Sequence, residues 1–178
     1  MNIDNENIIR LCSFYVSKWH LITMLLPYIN NKINEKMKIA TISETDLNQN
    51  VKILINKLNI KNGEKILKIN WNNKNSNKYS NIRKIIDINI GNEILIIVNG
   101  SNEYIKNVNK NINKYLKNNI SKLEVTNTKI KIIDCYEITE FNNDIVEILD
   151  KHDKIFNTSG EKEITDIFED YSRNKKIS

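Results

Sequence analysis

Apolar positions along the chain alternate between short unbroken runs and stretches with a helical period. Ile8 to Val16 is rich in β-branched and aromatic residues and reads as a buried first strand. Ser17 is a suitable N-cap for a helix in which Leu21, Met24, Leu25, Tyr28, Ile29 and Ile33 recur at helical spacing, and Pro27 predicts a kink or a break in it. Lys38 to Ser43 forms a short strand. Thr45 and Asp46 offer caps to a second helix with the stripe Leu47, Val51, Leu54, Ile55 and Leu58, which ends before the turn Lys61 to Glu64. Ile66 to Trp71 is expected as a third strand. An Asn-rich connection and a helix carrying Ile82, Ile85 and Ile86 up to about Ile88 follow.

Glu93 to Asn99 is the strongest strand signal, because its unbroken apolar run requires cover on both faces, as inside a parallel sheet. Gly100 and Ser101 end it, and Tyr104, Ile105, Val108, Ile112, Tyr115 and Leu116 give the next helix. Lys129 to Tyr136 is a fifth strand, and Ile145, Val146 and Leu149 mark a further helix. Lys154 to Asn157 is expected as an edge strand and Ile164, Ile167, Phe168 and Tyr171 as a terminal helix. The alternation predicts an α/β protein with a three-layer, mainly parallel sheet, helices on both faces and right-handed crossovers. No internal repeat or linker divides the 178 residues, so one domain is expected, with a core over residues 1–160 and a helix or tail over 161–178.

Charge narrows the partners. The net charge of +5 arises from Lys scattered among Glu and Asp, with no basic run that tracks a phosphate backbone, so nucleic acid is disfavoured as a partner. The local excess at Arg173, Lys175 and Lys176 reads as a solvated terminus. Polar, acidic first residues and the lack of a long apolar stretch argue against a signal peptide and a membrane span, and place the chain in the cytoplasm. Cys12 and Cys135 each lie inside an apolar run, where free cysteine acts as a small buried hydrophobe.

In an open α/β sheet, ligands bind beyond the carboxyl ends of the strands. The segments to inspect are Tyr15 to His20, Ser43 to Asp46, Asn70 to Asn73, Asn99 to Ser101 and Tyr136 to Phe141. The first has no glycine and no Lys-Ser or Lys-Thr pair, which argues against a phosphate loop and phosphoryl transfer. Asp134 ends a buried strand as a magnesium-holding carboxylate would, but without that loop it reads as a structural, hydrogen-bonded Asp. Cys12, His20, Cys135 and His152 do not stand at metal-finger spacing, so neither a metal nor a Cys-His pair is expected. Phe14, Tyr15, Trp19, Tyr136 and Phe141 fall at or past the ends of the first and fifth strands, where they line one apolar pocket or close the core. Glu44 and Glu137 follow strands as pocket acids or helix caps. His20 and Gly100 complete the candidate ligand-binding set, which contains no catalytic residue.

Two blocks resemble the MEDS sensory domain family. In the first, Cys12-Ser13-Phe14-Tyr15 precedes a helix with Leu26-Pro27-Tyr28-Ile29 and the strand Lys38 to Ser43; in the second, Asp134-Cys135-Tyr136-Glu137 and Phe141 precede Ile145 to Leu149, His152 and Ile155. Gly100 is similar to a family glycine, and the resemblance extends to about Gly160. It implies a RecA-like three-layer sheet that has lost its phosphate loop and serves as a signal-input module. The chain departs from the family in lacking the usual His of the opening strand and in having Asp153 where Pro is common. The expected function is a non-catalytic sensory or regulatory domain, without cofactor, binding a small molecule or a regulatory protein at the carboxyl edge of the sheet. The alternatives are a nucleotide-binding protein with an atypical phosphate site, suggested by Lys18 and Asp134, and a protein–protein interaction module; a homodimer stays open.

Overall fold

The computed structural model describes residues 5–73, 78–138 and 144–171. In chain order these form β1 (Ile8–Tyr15), α1 (Lys18–Asn34), β2 (Lys38–Ser43), α2 (Asn48–Leu58), α3 (Gly63–Leu67), α4 (Lys78–Ile88), β3 (Glu93–Gly100), α5 (Asn102–Val125), β4 (Lys129–Glu137), α6 (Asp144–Asp150), β5 (Lys154–Asn157), β6 (Gly160–Glu163) and α7 (Ile164–Ile167). The strands make one six-stranded sheet in the order β2-β3-β4-β1-β5-β6. All neighbours are parallel except β6, which turns back antiparallel on β5.

Period-two alternation divides the inner strands between two cores. Ile8, Cys12, Ile94, Ile96, Val98, Ile130, Ile132 and Tyr136 pack beneath α4, α5 and α6, whose Ile82, Ile86, Ile105, Val108, Ile112, Ile148 and Leu149 meet them. Leu11, Tyr15, Leu95, Ile97, Ile133 and Cys135 face the other way, onto Leu21, Leu25 and Ile29 of α1, Val51 and Ile55 of α2, and Ile66 of α3. The three-layer α/β expectation therefore holds. Among the described residues, no helix is long and apolar enough to cross a membrane.

The structure corrects several local expectations. Ile66 to Trp71 is not a strand: Gly63–Leu67 forms the short α3, and the chain then folds Trp71 into the core, where its indole N–H donates to the Ile66 carbonyl at 2.8 Å. The apolar residues there satisfy burial one by one, so no third strand joins the sheet and β2 stays at its edge. Pro27 does not end α1; it lies on the exposed side, and its missing donor is offset by the burial of Leu21, Ile22, Met24, Leu25, Leu26 and Ile29. The N-cap of α2 is Leu47 with no side-chain cap bond, while Asp46 Oδ1 instead accepts from the Asn48 amide at 2.9 Å. The expected terminal helix is interrupted after α7, at Phe168 to Asp170; Phe168 and Tyr171 pack on the core, and residues 172–178 lie outside the described residues.

The β5–β6 hairpin extends the sheet past β1 and is tied to the rest by side chains. Tyr28 Oη of α1 donates to Glu161 Oε1 at 2.6 Å, and Lys131 of β4 pairs with the same oxygen. The Tyr28 ring lies 4.7 Å from that of the buried Phe156. Asp153 locks the entry to β5: its carboxylate accepts the Arg10 amide at 2.8 Å, and its own amide donates to the Arg10 carbonyl at 2.8 Å. A proline at this position would lose the second bond.

Candidate ligand cleft on the sheet face

Register places Arg10 and Asp134 on the same face of neighbouring strands, since Arg10 pairs with Ile132 and Cys12 with Asp134. Both occupy inward positions that are otherwise apolar. Asp134 is fully buried. Its Oδ2 accepts from Asn109 Nδ2 of α5 at 2.7 Å and lies 2.9 Å from Nε2 of His152, just past α6. Nδ1 of the same ring lies 2.6 Å from the Ile148 carbonyl. A carbonyl only accepts, so Nδ1 is the donor to Ile148, and the ring's other nitrogen faces the carboxylate. Arg10 Nη1 approaches Oδ2 at 3.9 Å and donates to Asn109 Oδ1 at 3.4 Å, while Nη2 donates to Asn113 Oδ1. Asp134 Oδ1, also buried, has no hydrogen-bond partner among the described residues.

Above this floor is a cavity of about 330 Å³ between α5 and α6, at the lower end of the size range for small-molecule sites. Tyr136 is part of the lining, its ring tilted by 32° against that of Phe14 at 5.9 Å and edge-on to that of His152 at 6.0 Å. Burial and the Asp134 charge push its hydroxyl well above the ordinary tyrosine value, so it is a proton donor at neutral pH. Lys106 and Lys110 of α5 and Lys151 beyond α6 line the wall. On α6, Glu147 Oε1 bridges Lys151 at 2.6 Å and Lys106 at 3.5 Å.

The cleft offers no cysteine nucleophile. Burial, reinforced by the Asp134 charge, pushes the Cys12 thiol up to about 12, and burial raises Cys135 well above its ordinary value. Cys12 and Cys135 face opposite cores, and no group of three His, Cys, Asp or Glu suited to a metal occurs among the described residues. Asp134 does not stand as an open magnesium ligand, because Oδ2 is already committed to Asn109 and His152.

The expected aromatic pocket is dispersed by strand alternation. Phe14 and Tyr136 lie on the α5–α6 face, whereas Tyr15 is buried on the opposite one, where burial raises its hydroxyl to about 12 beside Asn99. Trp19 is 46% exposed. Phe141 lies outside the described residues. His20 Nδ1 accepts the Val16 amide at 3.3 Å and is part of the local turn into α1. Glu44 acts as a latch at the start of α5: its carboxylate accepts from the Ser101 amide at 2.6 Å and the Ser101 hydroxyl at 3.2 Å. Gly100 leaves room for that latch, and Glu137 is exposed at the end of β4. Of the described residues in the sequence-derived set, Tyr136 alone lines the cleft, with Phe14 against it.

Arg10, Asn109 and Asn113 were not singled out from the sequence, though a signal exists. Arg10 interrupts the inward series Ile8, Cys12 and Phe14, and Lys106, Asn109, Lys110 and Asn113 make a polar stripe at helical spacing beside Ile105, Val108 and Ile112. Another groove, of about 420 Å³, runs along β2, but its charged residues Lys68 and Lys84 are exposed and it holds no buried ion. Only Val16 and Ser17 join β1 to α1, too few residues to wrap a phosphate in the manner of a glycine-rich loop.

The fold and cleft define a mainly parallel α/β protein with a polar pocket on one sheet face. The chain matches no family model, no curated protein and no solved structure.

Proposed function

We propose that this chain is a non-catalytic sensory or regulatory domain that binds a small molecule in the cleft between α5 and α6. One observation carries the reading: Asp134, a residue of the cavity lining, has a buried carboxylate oxygen without a hydrogen-bond partner among the described residues. Leaving such an acceptor unpaired costs about 1–3 kcal/mol, or more for a charged group, and a ligand that donates to it recovers that energy. The parallel order β2-β3-β4-β1-β5 and the short β1–α1 connection support the RecA-like sheet without a phosphate loop that the MEDS resemblance implies. Tyr136 and His152 of its closing block border the cavity. The site is displaced from the carboxyl edge onto the sheet face. Signal passes by population shift, with the ligand favouring one arrangement of α6 over another.

A thermal-shift screen of small organic compounds tests the reading, since a ligand at about one hundred times its dissociation constant stabilises the fold by about 2.7 kcal/mol. The expected hit loses its shift in Tyr136→Phe and Asp134→Asn. A hit unaffected by both substitutions would put the site elsewhere, and a shift only with nucleotide and magnesium would favour a nucleotide-binding protein.

A further inference from the structure

Resting on that reading, we infer that the ligand is a small acid, carboxylate or phosphate, that also carries an amine or hydroxyl group. Two features of the cleft, of opposite polarity, define these two ends. Lys106, Lys110, Lys151 and Arg10 all line the cavity, and among the described lining residues the carboxylate is Asp134. Such a concentration of cations around a cavity favours an anion, and a guanidinium held in a fixed plane by Asn109 and Asn113 adds directional donors. At the floor, Oδ2 of the Asp134 carboxylate takes the bonds from Asn109 and His152, while Oδ1 has no partner among the described residues; a carboxylate oxygen accepts, so it calls for an N–H or O–H from the ligand.

Glu147 is the internal stand-in for the acid. Its carboxylate bridges Lys106 and Lys151, both about half exposed, so it occupies the cations that an entering anion would use. Because these pairs are exposed and therefore weak, an acid in the cavity displaces Glu147 readily. Lys106 stands on α5 while Glu147 stands on α6, so the exchange unties the two helices at the mouth. Occupancy of the cleft is thereby converted into freedom of α6 at the protein surface.

Calorimetric titration of the full chain with O-phosphoethanolamine, L-serine, methylphosphonate and ethanolamine tests the inference. Binding of O-phosphoethanolamine or L-serine at least about tenfold tighter than of ethanolamine is expected, and the preferred one identifies the head group as phosphate or carboxylate. Lys106→Met, an exposed change that leaves the core intact, weakens that binding by about tenfold or more, the loss of one charge-assisted bond. Glu147→Gln tightens it. Asp134→Asn weakens O-phosphoethanolamine more than methylphosphonate, which has no amine or hydroxyl arm to reach the floor. Equal binding of ethanolamine and the two acids, or tightening absent in Glu147→Gln, overturns the acid assignment. No binding of either acid, with a neutral compound from the wider screen still lost in Tyr136→Phe, overturns the ligand class while the cleft stands; no compound of any kind overturns both.

Discussion

His152 Nε2 stands 2.9 Å from Asp134 Oδ2, with 2% and 1% of the two side chains exposed, and its second nitrogen is held by the Ile148 carbonyl. The imidazole thus joins the end of α6 to the centre of the sheet. His152→Ala leaves the buried carboxylate without this partner, and a loss of about 3–5 kcal/mol is expected in urea unfolding. His152→Ala combined with Asp134→Asn should cost less than the sum of the single changes, since the interaction is already gone in each. Strict additivity would show that the two residues act independently.

Glu161 gives the hairpin an acid-sensitive tie. Burial favours its neutral form, but the hydrogen bonds from Lys131 and Tyr28 and the charges of Lys131 and Lys32 outweigh this and hold the carboxyl below its ordinary value of 4.5. A value lowered by folding means stability that is present above the unfolded value and lost as pH falls through the folded one. Stability of the native chain is expected to decline as the pH falls below the ordinary value of 4.5, more steeply than that of Glu161→Gln, measured by denaturant titration at each pH. Parallel curves would remove Glu161 from the acid response.

Gly100→Ala tests the latch at the start of α5. A Cβ there would lie 2.5 Å from Glu44 Oε2, 2.8 Å from Glu44 Cβ and 2.8 Å from Tyr104 Cδ1, at a backbone φ of +155°. Moving the carboxylate alone does not relieve the other two contacts. A loss of about 1–3 kcal/mol is expected from the overpacking, with a lower thermal midpoint; an unchanged midpoint would show that Glu44 and Tyr104 shift freely.

Both thiols should resist alkylation in the folded protein. Cys12, raised to about 12, and Cys135, raised well above its ordinary value by burial, present almost no thiolate near neutral pH. Iodoacetamide at about pH 8 is expected to leave the native chain unmodified and to label both cysteines once it is unfolded. Rapid native labelling of Cys12 would show that the α5–α6 cleft opens down to the sheet.

Most of the layer structure was legible in the sequence because burial on both faces leaves an unmistakable run, as in Glu93–Gly100 and Lys129–Glu137, and because α5 repeats its apolar residues at helical spacing. The same signal misread Ile66 to Trp71, where apolar residues are buried by a short helix and a folded-in indole and not by pairing in the sheet. Hairpin strand β6, with the sequence Gly160–Glu163 and no buried apolar side chain, gave no signal of its own.

Periodicity states which residues turn inward, and it says nothing about what they meet. By itself the sequence determined the α/β layering, the apolar interior and the absence of a phosphate loop between Tyr15 and Lys18. Only the tertiary structure decided the cleft, because its parts are distant in the chain: Arg10 reaches Asn113 across 103 positions, and Asp134 reaches His152 across 18. Parallel pairing of β1 with β4 put Arg10 and Asp134 on one face, and the same alternation sent Tyr15 away from Phe14 and Tyr136 to the other. A buried charge persists only where neighbouring elements supply its hydrogen bonds, and those neighbours are chosen by strand order and helix packing.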